Sequence, residues 1–185
     1  ATTTYTLTVT DSKGCMAGDN VTITVYENTV HGYVRYQNSA STPLGGVTLT
    51  LTDDSKAPVA TAVTNAAGYY AFAPVPNGSY TLEASSTSPW GGVNSTDALI
   101  IMQHFIQLIQ LTGLPLEAGD VDGSGYVNTS DAFNAARRFA VVINSFPAGD
   151  WVFESATVTL NQNNFVAVDL DGLCYGDVNG SYQPS

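Results

Sequence analysis

Basic residues are scarce in this chain: five Lys and Arg stand against sixteen Asp and Glu, for a formal charge of −11. Nucleic-acid binding and attachment to an anionic membrane surface both need clustered Lys and Arg, so we expect neither. Long apolar runs are also missing, because the longest one, 98–109, is interrupted by Gln103, His104 and Gln107. Membrane insertion is therefore not expected. The opening ATTTYTLTVT has no basic start and no apolar stretch, which argues against a signal peptide there.

Cysteine is almost absent, with only Cys15 and Cys174 in the chain. Two cysteines cannot build a disulfide-dense scaffold or, unaided, a cysteine zinc site. Three interpretations stay open: the two pair with each other, Cys15 pairs with a residue upstream of this sequence, or both are small buried residues. Catalytic signatures are missing too, since the two histidines lie in different regions and neither G-x-S-x-G nor H-E-x-x-H occurs. We therefore predict no enzyme activity.

Threonine, serine and aspartate are abundant instead. The chain has 22 Thr and 15 Ser, and twelve of its sixteen acidic residues are Asp. Threonine favours strands, whereas aspartate disfavours helices and supplies oxygen ligands to hard cations. This composition predicts an extracellular, mainly β protein. The threonine rows are candidate O-glycosylation sites.

Residues 1–29 follow the alternation of a two-stranded hairpin. Tyr5, Leu7 and Val9 alternate with threonines, and the pattern returns at Val21 and Ile23 after a turn. A lone hairpin is at best marginally stable in water. It must therefore pack on the next domain, on missing upstream sequence or on another molecule.

Residues 30–88 alternate in short strands separated by turn signals such as Asn77-Gly78, which predicts a small β-sandwich. The stretch HGYVRY…TPLGGVTLTL…TAVTNAAGYYAFAPVPNGSYTLEAS carries G-x-V, P-L-x-G-V, T-x-x-x-G-x-Y-x-F and P-x-G-x-Y-x-L in that order. It resembles the carboxypeptidase regulatory-like (transthyretin-like) domain family, which implies a non-catalytic, seven-stranded sandwich. The hairpin before it resembles the last two strands of a PKD-type immunoglobulin-like domain.

The sharpest motif is GDVDGSGYVNTSDAF, which has the spacing of a twelve-residue, EF-hand-like calcium loop. Calcium takes six to eight oxygen ligands, and alternate residues of such a loop point inward. The glycine at position 6 permits the sharp turn. The predicted ligands are Asp120, Asp122, Ser124, Tyr126 through its backbone carbonyl, Asn128 and Asp131.

Aspartate at position 12, valine at position 8 and the following A-F-x-x-A-R-R-F resemble a dockerin repeat. The resemblance implies two loop–helix repeats related by pseudo-two-fold symmetry and a cohesin-like partner. GGVNSTDALIIMQHF aligns with GYVNTSDAFNAARRF and supplies the back half of the other repeat. Loop positions 10 and 11 contact the partner in dockerins, although helix caps favour the same residue types. The residues at these positions are Ser95, Thr96, Thr129 and Ser130.

The front half of that other loop recurs at the end of the chain, in GDVNGSY. We hypothesise a split calcium site in which Asp177, Asn179 and Ser181 join Asn94 and Asp97. The alternative is an ordinary terminal turn beside a degenerate repeat. Two calcium ions are thus predicted, with tighter binding at the intact loop because it has three carboxylates against two.

Together these patterns predict a fold that is mainly β with a small α part. Its predicted units are the hairpin 1–29, the sandwich 30–88 and a dockerin-like two-helix calcium domain 89–185. Strand signals at 149–171 indicate a short added sheet that either packs on the helices or extends the sandwich. Two functions compete: a fibre or adhesin subunit that donates the Tyr5, Leu7 and Val9 strand to a neighbour and builds filaments, or the C-terminal docking module of a larger secreted protein.

Overall fold

The structure is a computed structural model that describes residues 2–24, 27–161 and 164–184. It confirms a mainly β fold with a few short helices. The strands are β1 Thr2–Thr10, β2 Met16–Thr24, β3 Asn28–Tyr36, β4 Thr48–Thr52, β5 Pro58–Val63, β6 Tyr69–Val75, β7 Gly78–Ser85, β8 Trp151–Phe153, β9 Ala156–Leu160, β10 Phe165–Ala167 and β11 Leu170–Cys174. The helices are α1 Ser95–Phe105, α2 Leu114–Gly119 and α3 Thr129–Phe139.

Two sheets form the β-sandwich. In the first, β3 pairs antiparallel with β6 and, along successive parts of its length, parallel with β10 and then β11, which continues to β8. The second has the order β5-β4-β7-β9. Alternation decides which side chains are buried: in β4, Leu49 and Leu51 are fully buried, whereas the three threonines that alternate with them are only partly buried. The core between the sheets is aliphatic and aromatic.

The strands predicted within 149–171 lie in the sandwich itself. β9 extends the second sheet beyond β7, whereas β10 and β11 lie beside β3 and β8 beside β11. The sandwich therefore takes its strands from two parts of the chain that flank the helical region. Of the two predicted arrangements, these strands therefore adopt the one that extends the sandwich.

The hairpin β1–β2 forms a separate two-stranded sheet. Its threonine face is joined by hydrogen bonds such as the one between the hydroxyls of Thr4 and Thr22, at 3.1 Å. The apolar side chains of the hairpin remain in solvent, with exposed fractions of 51% to 67% for Tyr5, Leu7, Val9, Val21 and Ile23. Nothing in the described part of the chain buries this face.

The two cysteines are both free. Cys15 lies exposed in the hairpin turn, whereas Cys174 is completely buried at the end of β11. The structure therefore does not join them.

The helices α1 and α3 pack against each other and begin in the same way. Asn94 caps α1 and Asn128 caps α3, and in each case an aspartate three residues later completes a capping box. The short helix α2, with Pro115 in its first turn, was not predicted from the sequence. Among the described residues, no helix is long and apolar enough to cross a membrane.

Candidate metal centre

Three carboxylates converge where α2 ends and α3 begins. Oxygen atoms of Asp120, Asp122 and Asp131 lie within 4.8 Å of one another. The backbone amides of Ser124 and Gly125 donate to the two oxygens of Asp120 at 3.0 and 2.7 Å. Gly125 has a φ of 86°, a conformation that a glycine adopts without strain. These two hydrogen bonds close the predicted intact loop around Asp120, its first predicted ligand.

The other predicted ligands complete this loop. Asp131 accepts hydrogen bonds from the amides of Asp122 at 3.2 Å and Asn128 at 2.8 Å. The Tyr126 carbonyl accepts from the Ser124 hydroxyl and the Asn128 side chain, each at 3.2 Å. All six predicted residues therefore belong to one hydrogen-bonded loop with oxygen atoms available as ligands.

A second group of polar side chains forms where the segment after β11 meets the start of α1. Asp97, in the first turn of α1, and Asp177, which follows β11, are both fully buried. The amides of Ser181 and Tyr182 donate to Asp177 at 2.9 and 3.0 Å. The Asn179 amide donates to Asp97 at 3.3 Å, across 82 residues of sequence. The structure thus brings the residues of the hypothesised split site together.

Eight hydrogen bonds of the intact loop recur in the split one, with lengths that differ by at most 0.3 Å. Numbered by loop position and with the intact loop's length first, carboxylate 1 accepts from amide 5 at 3.0 and 2.9 Å, from amide 6 at 2.7 and 3.0 Å and from hydroxyl 5 at 3.4 and 3.2 Å. Carboxylate 12 accepts from amide 3 at 3.2 and 3.3 Å and from amide 9 at 2.8 and 3.0 Å. Carbonyl 7 accepts from hydroxyl 5 at 3.2 and 3.0 Å and from side chain 9 at 3.2 and 2.9 Å, and side chain 9 accepts from amide 11 at 2.7 and 2.8 Å. The repetition favours a divided loop over an ordinary terminal turn.

Two adjacent glycines allow the C-terminal segment to close on α1. A Cβ atom on Gly92, whose φ is 87°, would lie 2.3 Å from the carboxylate of Asp177. A Cβ atom on Gly91 would lie 2.3 Å from the ring of Tyr182. Any side chain at either position would therefore collide with the segment that carries the front half of the loop. Sequence reasoning aligned these glycines with the repeat but missed this packing role.

Both sites concentrate negative charge around a fully buried carboxylate, Asp131 in the intact loop and Asp97 and Asp177 in the split one. Burial, and after it the charge of the Asp177 carboxylate, raises the pKa of Asp97 to about 6 against the opposing hydrogen bond from the Asn94 amide. Burial also raises the pKa of Asp131, with smaller contributions from the charges of Asp122 and Asp120. A donor set made only of carboxylate, hydroxyl, amide and carbonyl oxygens fits a hard cation such as Ca²⁺.

The four residues predicted to contact a partner lie exposed in the first turns of α1 and α3: Ser95, Thr96, Thr129 and Ser130. Sequence reasoning missed the exposed apolar side chains on the same helices. Leu99 and Phe105 on α1 occupy the same repeat positions as Phe133 and Phe139 on α3, and all four are about half exposed or more, at 49% to 64%.

Comparison with known proteins identifies one part of the chain. Residues 29–90 match the carboxypeptidase regulatory-like domain family. This match confirms the resemblance that was seen in the strand and turn pattern. For the dockerin-like repeats, the resemblance stays a prediction. No curated protein matches the chain.

Solved structures with some similarity include two pilins and one further bacterial protein. BcpA, the major pilin subunit of Bacillus cereus, is 10% identical with a TM-score of 0.49, over 93% of this chain and 38% of that one. GBS52, the minor pilin of Streptococcus agalactiae, is 10% identical with a TM-score of 0.40, over 85% of this chain and 53% of that one. The Bacillus anthracis TIE protein is 12% identical with a TM-score of 0.42, over 94% of this chain and 25% of that one. The chain thus spans about half or less of their lengths.

Proposed function

We propose that this chain is a non-catalytic, calcium-stabilised structural module of an extracellular protein on a bacterial cell surface. The observation that supports this proposal most directly is the hydrogen-bond pattern shared by the two oxygen-lined loops. Two segments far apart in sequence reproduce the geometry of one continuous loop, and each set brings carboxylates together, with Asp97, Asp131 and Asp177 fully buried. A divalent cation at each site would offset the repulsion between these carboxylates.

Calcium at the split site would join the C-terminal segment to the start of α1. The ligands Asp97 and Asp177 are 177 − 97 = 80 residues apart in the sequence. Closing so long a segment restricts the unfolded chain, by analogy with a covalent cross-link. Both sites have serine at position 5, and we expect dissociation constants on the order of 10⁻⁴ M or somewhat tighter, in the range of extracellular calcium.

We further propose that the hairpin mediates assembly by donating its strand with Tyr5, Leu7 and Val9 to an open β-sheet of a neighbouring molecule. The support for this step is the apolar face of β1–β2, on which Tyr5, Leu7 and Val9 are each more than half exposed. A strand added to an open sheet gains main-chain hydrogen bonds and buries its alternate side chains. A head-to-tail contact of this kind extends into a filament.

Light scattering and negative-stain microscopy in millimolar calcium test this assembly step. Replacing Tyr5, Leu7 and Val9 together by threonine removes the apolar side chains that β1 contributes to this face but keeps the strand propensity. The matched control replaces Thr4, Thr6 and Thr8 on the opposite face by serine. We expect filaments or oligomers from the wild type and the control but not from the apolar-face variant, whereas monomers in all three samples would contradict self-assembly.

The exposed positions on α1 and α3 support a second candidate function, docking to a cohesin-like protein. The hydroxyls of Ser95, Thr96, Thr129 and Ser130 would supply polar contacts, and the exposed apolar side chains of the same helices would supply buried area. In this case the hairpin completes an upstream domain of a larger secreted protein. Binding to a purified cohesin that is lost when both Leu99 and Phe133 are replaced by aspartate would support this function. No binding by the wild type would contradict it for that cohesin.

The exposed threonine row of the hairpin also supports the proposal of O-glycosylation. Intact-mass analysis of natively secreted protein tests it, since each attached hexose adds a fixed mass. An unmodified mass would contradict it.

A further inference from the structure

One contact of the split site has no counterpart at the intact loop. The Tyr36 hydroxyl donates a hydrogen bond of 2.6 Å to Oδ2 of Asp177. At the intact loop, the equivalent carboxylate of Asp120 accepts, among the described residues, only from the Ser124 and Gly125 atoms of its own loop. The two sites therefore share their internal geometry but differ in their external support.

The position of the Tyr36 hydroxyl is fixed by the sandwich. Tyr36 is the last residue of β3 and is fully buried. Its ring lies edge-on to the rings of Trp151 and Tyr182, with centroid separations of 5.8 and 5.6 Å. The same hydroxyl accepts a hydrogen bond from the Cys174 amide of β11 at 3.1 Å. Because the hydroxyl accepts from the Cys174 amide and the Asp177 carboxylate can only accept, the single hydrogen of the hydroxyl is donated to Asp177.

The chain around the split site also lies directly against the end of β3. A Cβ atom on Gly180 would come within 2.3 Å of the Gln37 carbonyl, so backbone meets backbone there. The side chain of Asn38 donates to the Tyr182 carbonyl at 2.9 Å. The front half of the split loop is thus held against the end of β3 at Gly180 and Tyr182 as well as at Asp177.

We propose that Tyr36 is a positioning residue for the split calcium site, and that through it calcium binding at this site is coupled to the folding of the sandwich. This inference rests on the proposed function. Oδ2 of Asp177 accepts from both the Tyr36 hydroxyl and the Tyr182 amide, and these two donors hold the carboxylate in one orientation. Calcium at the intact loop, which lacks such a contact with Tyr36, should bind independently of the end of β3, although the neighbouring helix α2 packs on β8 and β11.

Partners that hold a metal ligand in place typically change metal affinity by about ten- to a hundredfold when they are removed. Replacing Tyr36 by phenylalanine removes only the hydroxyl. The matched control is Tyr70→Phe, because Tyr70 is equally buried in the same sheet and its hydroxyl donates to the Val168 carbonyl at 2.6 Å without touching either site. Calorimetric titration with calcium chloride measures each site separately in two backgrounds of the full chain.

In the first background, Asp120→Asn and Asp131→Asn together disable the intact loop. There we expect Tyr36→Phe to raise the dissociation constant for calcium by about ten- to a hundredfold, while Tyr70→Phe leaves it unchanged. In the second background, Asp177→Asn disables the split site, and Tyr36→Phe should leave calcium binding at the intact loop unchanged. An unchanged constant for Tyr36→Phe in the first background, or an equal rise for Tyr70→Phe, would overturn the positioning role.

Hydrogen exchange measures the coupling with Tyr36 in place. Calcium binding in the first background should slow exchange of the Cys174 amide and of the β3 amides, and binding in the second should not. Equal exchange with and without calcium in the first background would overturn the coupling. If calorimetry finds no calcium binding to the wild type, both the proposed function and this inference are wrong. Two bound ions with an unaffected Tyr36→Phe variant overturn the inference alone.

Discussion

Replacing Asp177 by asparagine should remove one of two calcium contributions to stability. The variant keeps the shape of the side chain but removes the charge of the first ligand of the split site, and its NH2 group no longer accepts the hydrogen bonds that one carboxylate oxygen accepts. The dependence of stability on calcium, rather than stability itself, therefore reports the loss of the ion. A site that binds only the folded state stabilises it by RT ln(1 + [Ca²⁺]/Kd). With a dissociation constant of about 10⁻⁴ M, the split site contributes about 1.4 kcal/mol at 1 mM calcium.

The dependence of the free energy of unfolding on calcium concentration gives the number of bound ions. Above saturation, each site adds about 1.4 kcal/mol to the free energy of unfolding for every tenfold rise in calcium. Wild-type protein should therefore gain about 2.8 kcal/mol per tenfold rise, and Asp177→Asn about half of that. Urea unfolding at a series of calcium concentrations, followed by circular dichroism, gives these slopes.

A charge-matched control separates ligand loss from a general change in charge. Asp54 is an exposed residue of the β4–β5 turn and lies outside both loops, so Asp54→Asn should retain the wild-type slope. Equal slopes for the wild type and Asp177→Asn would refute the split site. A reduced slope for Asp54→Asn would refute the assignment of the effect to a specific ligand.

Three further outcomes follow from the same geometry. Gly92→Ala should lose the split-site calcium because its Cβ meets a carboxylate oxygen at 2.3 Å, whereas Gly46→Ala, with a φ of 76° but no atom within 4 Å, should retain both ions in calorimetry despite similar backbone strain. Burial raises the pKa of Cys174 to about 11, so at pH 8 in calcium only Cys15 should react rapidly with a thiol reagent. Removing calcium with a chelator should expose the Cys174 thiol as well. Two rapidly reacting thiols in the presence of calcium would contradict this prediction. Asp131→Asn should reduce the number of bound ions to one and leave Cys174 protected, and loss of protection would show that the intact loop also closes the C-terminus.

Local patterns explain how much of the fold could be predicted. Strict alternation predicted the hairpin and the first strands of the sandwich, because each strand's burial depends on period-two spacing alone. The parallel pairing of β10 and β11 with β3 could not be predicted. It joins segments more than 130 residues apart, as in the pair Phe165 and Thr29, and parallel pairing leaves no turn signal between the strands.

The candidate sites divide in a similar way. The intact loop and the two halves of the split one could be predicted, because their ligand spacing is written in GDVDGSGYVNTSD, GDVNGSY and GGVNSTD. The role of Tyr36 could not, because a buried tyrosine at a strand end has no sequence feature that points to a carboxylate 141 residues away. The short helix α2 was missed because six residues are too few to show a helical period.

A crystal structure of the wild-type chain grown in calcium, with anomalous scattering data, tests the central claim most directly. The account predicts two anomalous peaks, each with oxygen ligands at about 2.3–2.6 Å. One should lie among Asp120, Asp122 and Asp131, and the other between Asp97 and Asp177. A single peak in the intact loop, with none between Asp97 and Asp177, would contradict the claim that calcium clamps the end of the chain onto α1.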